Sequence, residues 1–173
     1  MLTTTDNEKG IATGWLPGEL SALGKSQSIG LAKLIAGKKF DVVFCSDLKR
    51  AVDSTNLAFD ATVQIIPDPR LRECNYGDLN GGKEEKVKSM KEEKIEKPFQ
   101  NGESYRDVER RMAYFVKFLR KNYSGKSVAI VAHQAPQLAL EVILKGKTWH
   151  TAFLEDWRYK VPKQWQPGWE YEA

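Results

Sequence analysis

The sequence predicts an α/β protein built around a mostly parallel central sheet, and three observations support this prediction. Residues 128–132 read Val-Ala-Ile-Val-Ala, a continuous apolar run without polar alternation, which is typical of a strand covered on both faces. Residues 40–45, which read Phe-Asp-Val-Val-Phe-Cys, indicate a second strand. Each run is followed by a short turn and a helical pattern. Strand, tight turn and helix together form the unit from which parallel sheets are built.

The first half of the chain yields two helices and two strands. Ser21 can cap a helix that Gly37 ends, and its apolar residues at roughly helical spacing are Leu23, Ile29, Leu31, Leu34 and Ile35. After the strand at 40–45, Ser46 and Asp47 supply cap chemistry for a helix over residues 48–59. Residues 63–66 form a short strand. The polar segment through Gly10 shows no strand pattern.

The second half continues the alternation. Residues 84–97 are charged all round, which predicts a helix with little core contact. Ser104 and Asp107 have the form of a capping box for a helix whose apolar residues recur at helical spacing. The strand at 128–132 then leads into a helix with Pro136 in its first turn, which ends near Gly146.

Length and composition fit one globular domain over residues 1–173. Its C-terminal segment, about 147–173, is rich in tryptophan, and we expect the four rings to pack against the core edge: Trp149, Trp157, Trp165 and Trp169. The net charge of +4 suits an anionic substrate. The lysines lie in mixed-sign runs, such as residues 83–86 and 91–94, which indicates a solvated face and no nucleic-acid partner.

Cysteine and hydropathy patterns indicate a cytoplasmic protein without a membrane partner. Cys45 and Cys74 form no disulfide framework and no metal-ligand spacing. No apolar segment approaches the eighteen or so residues needed to span a membrane. The first residues lack the basic and apolar regions of a signal peptide. We expect no metal, because the two histidines show no ligand spacing.

His133 is the first candidate for chemistry, because it lies at the predicted carboxyl end of the strand at 128–132 and just before a helix. The N-terminus of a helix offers unpaired N–H groups and partial positive charge, which favour a phosphate. A lone histidine at such a position is more often simply hydrogen-bonded, so a functional role for His133 depends on other candidate residues near it. Arg50, at the start of the predicted helix 48–59, can reach the same sheet edge with a guanidinium suited to phosphate oxygens. Glu73 precedes an irregular loop in which a general acid can face a cleft.

Together these residues resemble the histidine phosphatase superfamily, also called phosphoglycerate-mutase-like. The resemblance covers roughly residues 3 to 145 and follows the family's order through Asn7, Gly14-Trp15, residues 20–24, residues 46–51, residues 71–73, Tyr76-Gly77, residues 102–104 and residues 131–133. It implies a three-layer sandwich with a mostly parallel central sheet. It also implies a phosphomonoester hydrolase that works through a phosphohistidine, without a cofactor.

The resemblance assigns roles to four residues. Arg50 matches the phosphate-binding arginine, Glu73 the proton donor, His133 the second pocket histidine, and Asn7 a polar phosphate contact. The physics agrees, since cations stabilise charge on the equatorial phosphate oxygens and an acid protonates the leaving alkoxide. The expected partner is a phosphorylated small molecule or a phosphoprotein.

The chain departs from the family pattern at its start. The family's spacing puts the nucleophilic histidine of the Arg-His-Gly motif at Met1, so the motif and its strand are missing from this sequence. Three interpretations stay open: a phosphatase whose upstream Arg-His-Gly has been truncated, an inactive pseudophosphatase that binds a phosphorylated ligand or partner, and a mutase. We expect the gap left by the first strand to be filled, either by closure of the flanking strands or by strand exchange in a homo-oligomer. Otherwise we expect the isolated chain to be marginally stable and to aggregate.

Overall fold

The computed structural model describes residues 2–159, 168 and 170–172. The helices there are α1 (Thr5–Glu8), α2 (Ala22–Ile35), α3 (Lys49–Ala58), α4 (Glu84–Met90), α5 (Tyr105–Asn122), α6 (Gln134–Lys145) and α7 (Trp149–Glu155). The strands are β1 (Ile11–Ala12), β2 (Val42–Cys45), β3 (Ile65–Pro67), β4 (Gly82–Lys83) and β5 (Val128–Val131). Four short 3-10 turns lie at Pro69–Leu71, Gly77–Leu79, Glu93–Ile95 and Trp157–Tyr159.

Three of the described strands form a parallel sheet in the order β3-β2-β5. The central strand β2 is buried at all four positions, as its unbroken apolar sequence predicts. Its last residue, Cys45, lies opposite Val131, the last residue of β5. The carboxyl ends of these two strands therefore meet at one edge, and the segments that follow them can share a site.

Helices cover both faces of the sheet. On one face the ring of Phe44 meets Phe115 of α5 edge to face, with 5.4 Å between the ring centroids. Cys45 points to the other face, where its thiol lies beside Thr55 of α3. This arrangement of helix, parallel sheet and helix confirms the predicted α/β class and its layers. In the described chain β5 pairs with β2 along one edge, and no other named strand pairs with it.

Several predicted helix starts are confirmed by their caps. The Ser104 hydroxyl accepts a hydrogen bond from the Asp107 backbone N–H, and the Asp107 carboxylate accepts one from the Ser104 N–H. The Ser21 hydroxyl caps α2 by accepting a hydrogen bond from the Gly24 N–H at 3.2 Å. At the end of α6, Gly146 adopts a left-handed conformation with φ of 65°, which explains why a glycine stands there.

The cap predicted for α3 is wrong. Its N-cap residue is Leu48, which makes no side-chain cap hydrogen bond. The Ser46 hydroxyl accepts a hydrogen bond from Leu48 N–H, while both carboxylate oxygens of Asp47 accept from Arg72, 2.7 Å away in each case. Asp47 therefore fixes the loop around residue 72 instead of capping the start of α3.

Helix α2 forms as predicted, but three of its five apolar residues do not face the core, while Leu31 and Ile35 are half-buried. Leu23, Ile29 and Leu34 are 53%, 52% and 59% exposed. The buried face instead carries Gly24 and Ser28, whose hydroxyl donates to the Gly24 carbonyl. A Cβ on Gly24 would lie 1.9 Å from the Thr3 carbonyl oxygen, so the helix approaches the chain at residue 3 through its small residues.

The N-terminal segment is more regular than its sequence suggests. It contains α1 and the short strand β1, which pairs antiparallel with β4. Neither element was predicted, because a four-residue helix and a two-residue strand carry too little pattern to detect. This two-stranded ribbon connects the start of the chain with the segment before α4.

Residues 78–100 form a closed excursion that contains α4. Its ends are joined where Asp78 N–H donates to the Gln100 carbonyl, 3.1 Å away. Gly77 has φ of +56°, and a Cβ there would lie 1.8 Å from the same carbonyl oxygen. Only glycine fits this contact. The predicted helix over 84–97 is thus a shorter α4 followed by a 3-10 turn, and Val87 is buried.

The C-terminal tryptophans are only partly described. Trp149 is buried, and its indole N–H donates to Glu109 at 2.7 Å, so this ring packs in the core as predicted. Trp157 is half-buried. The predicted packing of Trp165 and Trp169, like the position assigned to the missing histidine at Met1, lies outside the described residues.

Candidate active site

The site lies at the carboxyl ends of β2 and β5. Arg50, in the first turn of α3, is 4% exposed, and His133, the N-cap residue of α6, is 2% exposed. Glu73 reaches the same place from the loop after the Pro69–Leu71 turn and is 5% exposed. The parallel sheet therefore brings together three of the four side chains named from the sequence.

The Glu73 carboxylate sits on the N-terminus of α6. Its Oε2 accepts a hydrogen bond from Gln134 N–H at 3.1 Å, and its Oε1 accepts from Ala135 N–H at 3.0 Å and from Cys74 N–H at 2.9 Å. His133 makes no side-chain cap hydrogen bond, so Glu73 satisfies these N–H groups across 61 residues of sequence. The anion that the sequence predicts at this helix start is, in the structure, a carboxylate of the chain itself.

Arg50 is held by the loop that follows β1. Its Nη1 donates to the carbonyls of Leu16 (2.7 Å) and Pro17 (3.3 Å), and its Nη2 donates to that of Gly14 (2.8 Å). Burial lowers the pKa of the Arg50 guanidinium, and the negative charge of Glu73 opposes this change. The arginine thus carries its positive charge into the site from a fixed position.

His133 is the least solvated of the three. Among the described residues, neither of its ring nitrogens has a hydrogen-bond partner, although both are buried. Burial lowers the pKa of His133 well below its usual value, and the positive charge of Arg50 lowers it further. The imidazole is therefore neutral at physiological pH, and it is a buried polar group that a ligand can satisfy.

Asn7 lies apart from these contacts. Its side-chain oxygen accepts hydrogen bonds from Thr4 N–H (3.0 Å) and from the Thr4 hydroxyl (2.9 Å), which completes the capping box of α1. Asn7 nevertheless lines the same pocket as Arg50 and Glu73, a cleft of about 60 Å³. It is thus a cap residue at the rim of the site.

A second set of residues, which sequence reasoning missed, holds Glu73 in place. Arg111 of α5 donates through Nη2 to the Glu73 carbonyl at 2.9 Å, and Trp15 Nε1 donates to the same oxygen at 2.7 Å. Arg111 also forms an ion pair with Glu103 through two hydrogen bonds, at 2.9 and 3.2 Å. Glu103 in turn accepts from Asn75 N–H at 2.9 Å, so both sides of the Glu73 loop are fixed.

The sequence contains a signal for Arg111. It follows the buried Val108 by three residues and precedes the buried Phe115 by four, so helical periodicity puts it in the apolar stripe of α5. The neighbouring Arg106 and Arg110 obscure this position, because the three together have the composition of a solvated face.

The described part of the chain brings together no three His, Cys, Asp or Glu side chains that could hold a metal ion. It also has no helix that is both long enough and apolar enough to cross a membrane. Cys45 and Cys74 are both buried free thiols, and burial raises the pKa of each.

Known proteins resemble this chain in sequence and in fold. A sequence model described as histidine phosphatase superfamily (branch 1) matches residues 3–159. Phosphoserine phosphatase 1 of Hydrogenobacter thermophilus is 30% identical over 149 residues, which cover 81% of this chain and 71% of that protein. A 2,3-bisphosphoglycerate-dependent phosphoglycerate mutase of Rhizobium meliloti is 32% identical over 158 residues, which cover 82% and 75%.

A solved structure shares the fold. The crystal structure of a putative alpha-ribazole-5'-P phosphatase from Escherichia coli superposes with a TM-score of 0.80. The aligned region covers 88% of this chain and 80% of that one, at 24% identity.

Proposed function

The chain belongs to the histidine phosphatase superfamily, and from this premise we propose that its site binds a phosphate monoester for hydrolysis. Arg50 binds the phosphate oxygens, Glu73 is the proton donor, His133 is the second pocket histidine, and Asn7 is a polar contact at the rim. The observation that carries the proposal is that Arg50 and Glu73, both buried, line one pocket. The neutral His133 lies close enough to Arg50 for its pKa to be lowered by that charge, and among the described residues its ring nitrogens have no partner.

The proposed reaction has two steps. A histidine nitrogen attacks phosphorus, the bond from phosphorus to the ester oxygen breaks, and Glu73 gives its proton to the departing alkoxide. Water then attacks the phosphohistidine while Glu73 takes back a proton, which releases inorganic phosphate. Arg50 stabilises the charge on the equatorial oxygens throughout, and it does so without reorganisation because the loop carbonyls already fix it.

The two steps need a histidine that accepts the phosphoryl group. The sequence holds two histidines. The side chain of His150 is 65% exposed, and its Nδ1 is hydrogen-bonded with Glu92 at 2.9 Å, so it lies on the surface. His133 already has the role of the second pocket histidine. Hydrolysis through a phosphohistidine therefore needs a histidine beyond these two.

This histidine count also favours a second candidate function. With the pocket but without a third histidine, the chain binds a phosphorylated ligand or partner and does not turn it over. Of the reactions named for its relatives, we favour hydrolysis over mutase chemistry, because the excursion at 78–100 is short for the cap of a dedicated mutase. The similarity to the mutase of Rhizobium meliloti supports mutase chemistry as a third alternative.

Measurements of ligand binding and of turnover distinguish the phosphatase from a protein that only binds the phosphorylated ligand. For the 173-residue chain we expect orthovanadate to bind and to shift the NMR signals of His133. Arg50→Ala should abolish binding, and Arg110→Ala, at a residue 66% exposed on α5, should not change it. Hydrolysis of p-nitrophenyl phosphate should stay at trace rate. If vanadate leaves His133 unchanged, or if Arg50→Ala binds as well as the parent chain, the assigned phosphate pocket is wrong.

An extended chain tests the chemistry. Adding an upstream strand that ends in Arg-His-Gly should create phosphatase activity, and Glu73→Gln in that extended chain should lower the rate by about 10²–10⁴. Rapid turnover by the 173-residue chain, abolished by His133→Ala, would instead make His133 the phosphoryl acceptor. If the extended chain binds vanadate but remains inactive, the binding function is the correct one.

A further inference from the structure

The first turn of α6 forms one wall of the candidate pocket, and α4 forms another. Gln134 is the first residue of α6, follows His133 directly and lines the pocket. Its backbone N–H donates to Oε2 of Glu73 at 3.1 Å, so the position of Gln134 helps to determine where the Glu73 carboxylate is held. A residue that fixes Gln134 can therefore act on the site without touching the ligand.

The Gln134 side chain is held by Asp156, the C-cap residue of α7. Its Nε2 donates to Oδ2 of Asp156 at 2.5 Å. The other carboxylate oxygen, Oδ1, accepts from the backbone N–H of Arg158 at 3.1 Å and from its Nη1 at 2.8 Å. Both oxygens of Asp156 are thus used, and neither is in contact with solvent, because the exposed fraction of this side chain is 0%.

Arg158 anchors this carboxylate to a second position on α6. Its Nη1 also donates to Oε1 of Gln137 at 3.2 Å. Gln134 and Gln137 are three residues apart, so they lie on the same side of the helix. Asp156 and Arg158 therefore contact the first turn of α6 at two points, and they do so as one ion pair.

The burial of this ion pair indicates what it contributes. The side chain of Arg158 is only 12% exposed, and that of Asp156 is fully buried. Taking two charges out of water is costly, and an apolar pair of similar size often gives equal or greater stability. The stability of the fold alone is therefore a weak reason for a buried Asp156–Arg158 pair. Its hydrogen bonds to two amides of α6 indicate instead that it sets the geometry of this helix.

We propose that the Asp156–Arg158 pair is a positioning device for the phosphate pocket, and that it acts by holding the Gln134 amide and with it the first turn of α6. Neither Asp156 nor Arg158 is among the described residues that line the pocket, so their effect passes through Gln134. This inference rests on the proposed phosphate site. It gives a role in that site to the segment after α7, to which the sequence alone assigns only packing.

An apolar exchange of the pair tests the inference on the 173-residue chain. Asp156→Leu combined with Arg158→Met removes both charges, so neither is left buried alone. The affinity for orthovanadate, measured by calorimetry, should fall about tenfold, a typical loss when residues of one hydrogen-bond network are removed. Thermal melts establish that the variant is folded at the temperature of the measurement. If the pair only stabilised the fold, this folded variant would bind vanadate as the parent chain does.

A mutant cycle shows whether the pair acts through Gln134. Gln134→Leu removes the amide that Asp156 holds, so it should weaken vanadate binding by a similar factor. The apolar exchange should then cause no further loss in the Gln134→Leu background, because the contact through which it acts is already absent.

Glu141→Gln is the matched control. Glu141 is also a buried carboxylate of an ion pair on α6, with Lys145 at 3.0 Å and Lys147 at 2.6 Å, but it is not among the described residues of the pocket lining. This variant should retain the vanadate affinity of the parent chain, even if its melting temperature falls.

The outcomes separate this inference from the function beneath it. If the parent chain binds vanadate and Arg50→Ala abolishes binding, but the apolar exchange has no effect, the phosphate site stands and the positioning role is wrong. The positioning role is also wrong if Gln134→Leu binds normally, if the losses in the cycle add, or if Glu141→Gln loses as much affinity. If the parent chain does not bind vanadate, both the phosphate site and the positioning role are wrong.

Discussion

Arg111→Met should destabilise the protein strongly, because the guanidinium holds three parts of the site together. It makes four hydrogen bonds: two to Glu103, one to the Arg70 carbonyl and one to the Glu73 carbonyl. The side chains of Arg111 and Glu103 are only 15% and 18% exposed. Removing one partner of a buried pair leaves the other charge uncompensated, which costs about 3–5 kcal/mol.

Residual exposure puts the expected loss near the lower end of that range, about 3 kcal/mol of the 5–15 kcal/mol that typically stabilises a domain. For a chain of this size the melting temperature should fall by about 6–12 °C, at roughly 2–4 °C per kcal/mol. Urea unfolding followed by circular dichroism, with an unchanged dependence on urea concentration, measures the free energy of unfolding directly.

Arg110→Met is the matched control. Arg110 is the neighbouring residue on α5, is 66% exposed and makes one ion pair, with Asp107 at 2.7 Å, so its loss should cost at most about 1 kcal/mol. Combining Arg111→Met with Glu103→Leu should recover part of the stability, since neither charge is then left alone. If Arg111→Met and Arg110→Met unfold within 0.5 kcal/mol of each other, taken as roughly the additivity error, the clamp is not energetically important.

Three further predictions follow from individual groups. Ser104→Ala removes the hydroxyl of the α5 capping box and should cost about 1 kcal/mol in urea unfolding, whereas no loss would show that the cap is dispensable. Because the pKa of the buried His133 is lowered, the unfolded chain binds a proton below about pH 6.5 that the folded chain does not bind. The free energy of unfolding should therefore fall as the pH drops below about 6.5, by up to about 1.4 kcal/mol per pH unit. His133→Asn should flatten this slope, and His150→Asn should not. Cys45 and Cys74 should resist iodoacetamide until urea unfolds the chain, because both thiols are buried with raised pKa, and rapid labelling of the folded protein would contradict their burial.

Local signals explain which parts of the fold the sequence could predict. The capping box at Ser104 and the stop at Gly146 depend on residues within one turn of each helix end. The strand β5 was predictable because its apolar run is unbroken. Arg50, Glu73 and His133 were named from their positions beside predicted strands, helices and loops, and a resemblance to a family then assigned their roles. Parallel pairing of β2 with β5 explains how Arg50 and His133 meet.

The remaining features depend on contacts between distant residues. The Glu73 carboxylate reaches N–H groups 61 and 62 positions away, and no local pattern encodes that distance. The apolar spacing of α2 was a misleading guide to burial, because the helix approaches the chain through Gly24 and Ser28 and leaves Leu23 exposed. Lys91 was assigned to a solvated run, since composition does not reveal which side of a helix meets a cleft.

The ends of the excursion at 78–100 are joined, so the part of the site that carries Glu73 is fixed independently of the part that carries α4. Residues before and after it stay in register, because the contact between Gly77 and the Gln100 carbonyl and the hydrogen bond from Glu103 N–H to the Asn75 carbonyl fix both ends. Lengthening a loop whose ends are already held together is cheap, at about 0.6 kcal/mol per doubling. Insertions or grafts between these ends can therefore remodel the wall that carries α4 while Glu73 keeps its place, which makes this segment the natural cassette for changing what is attached to the phosphate.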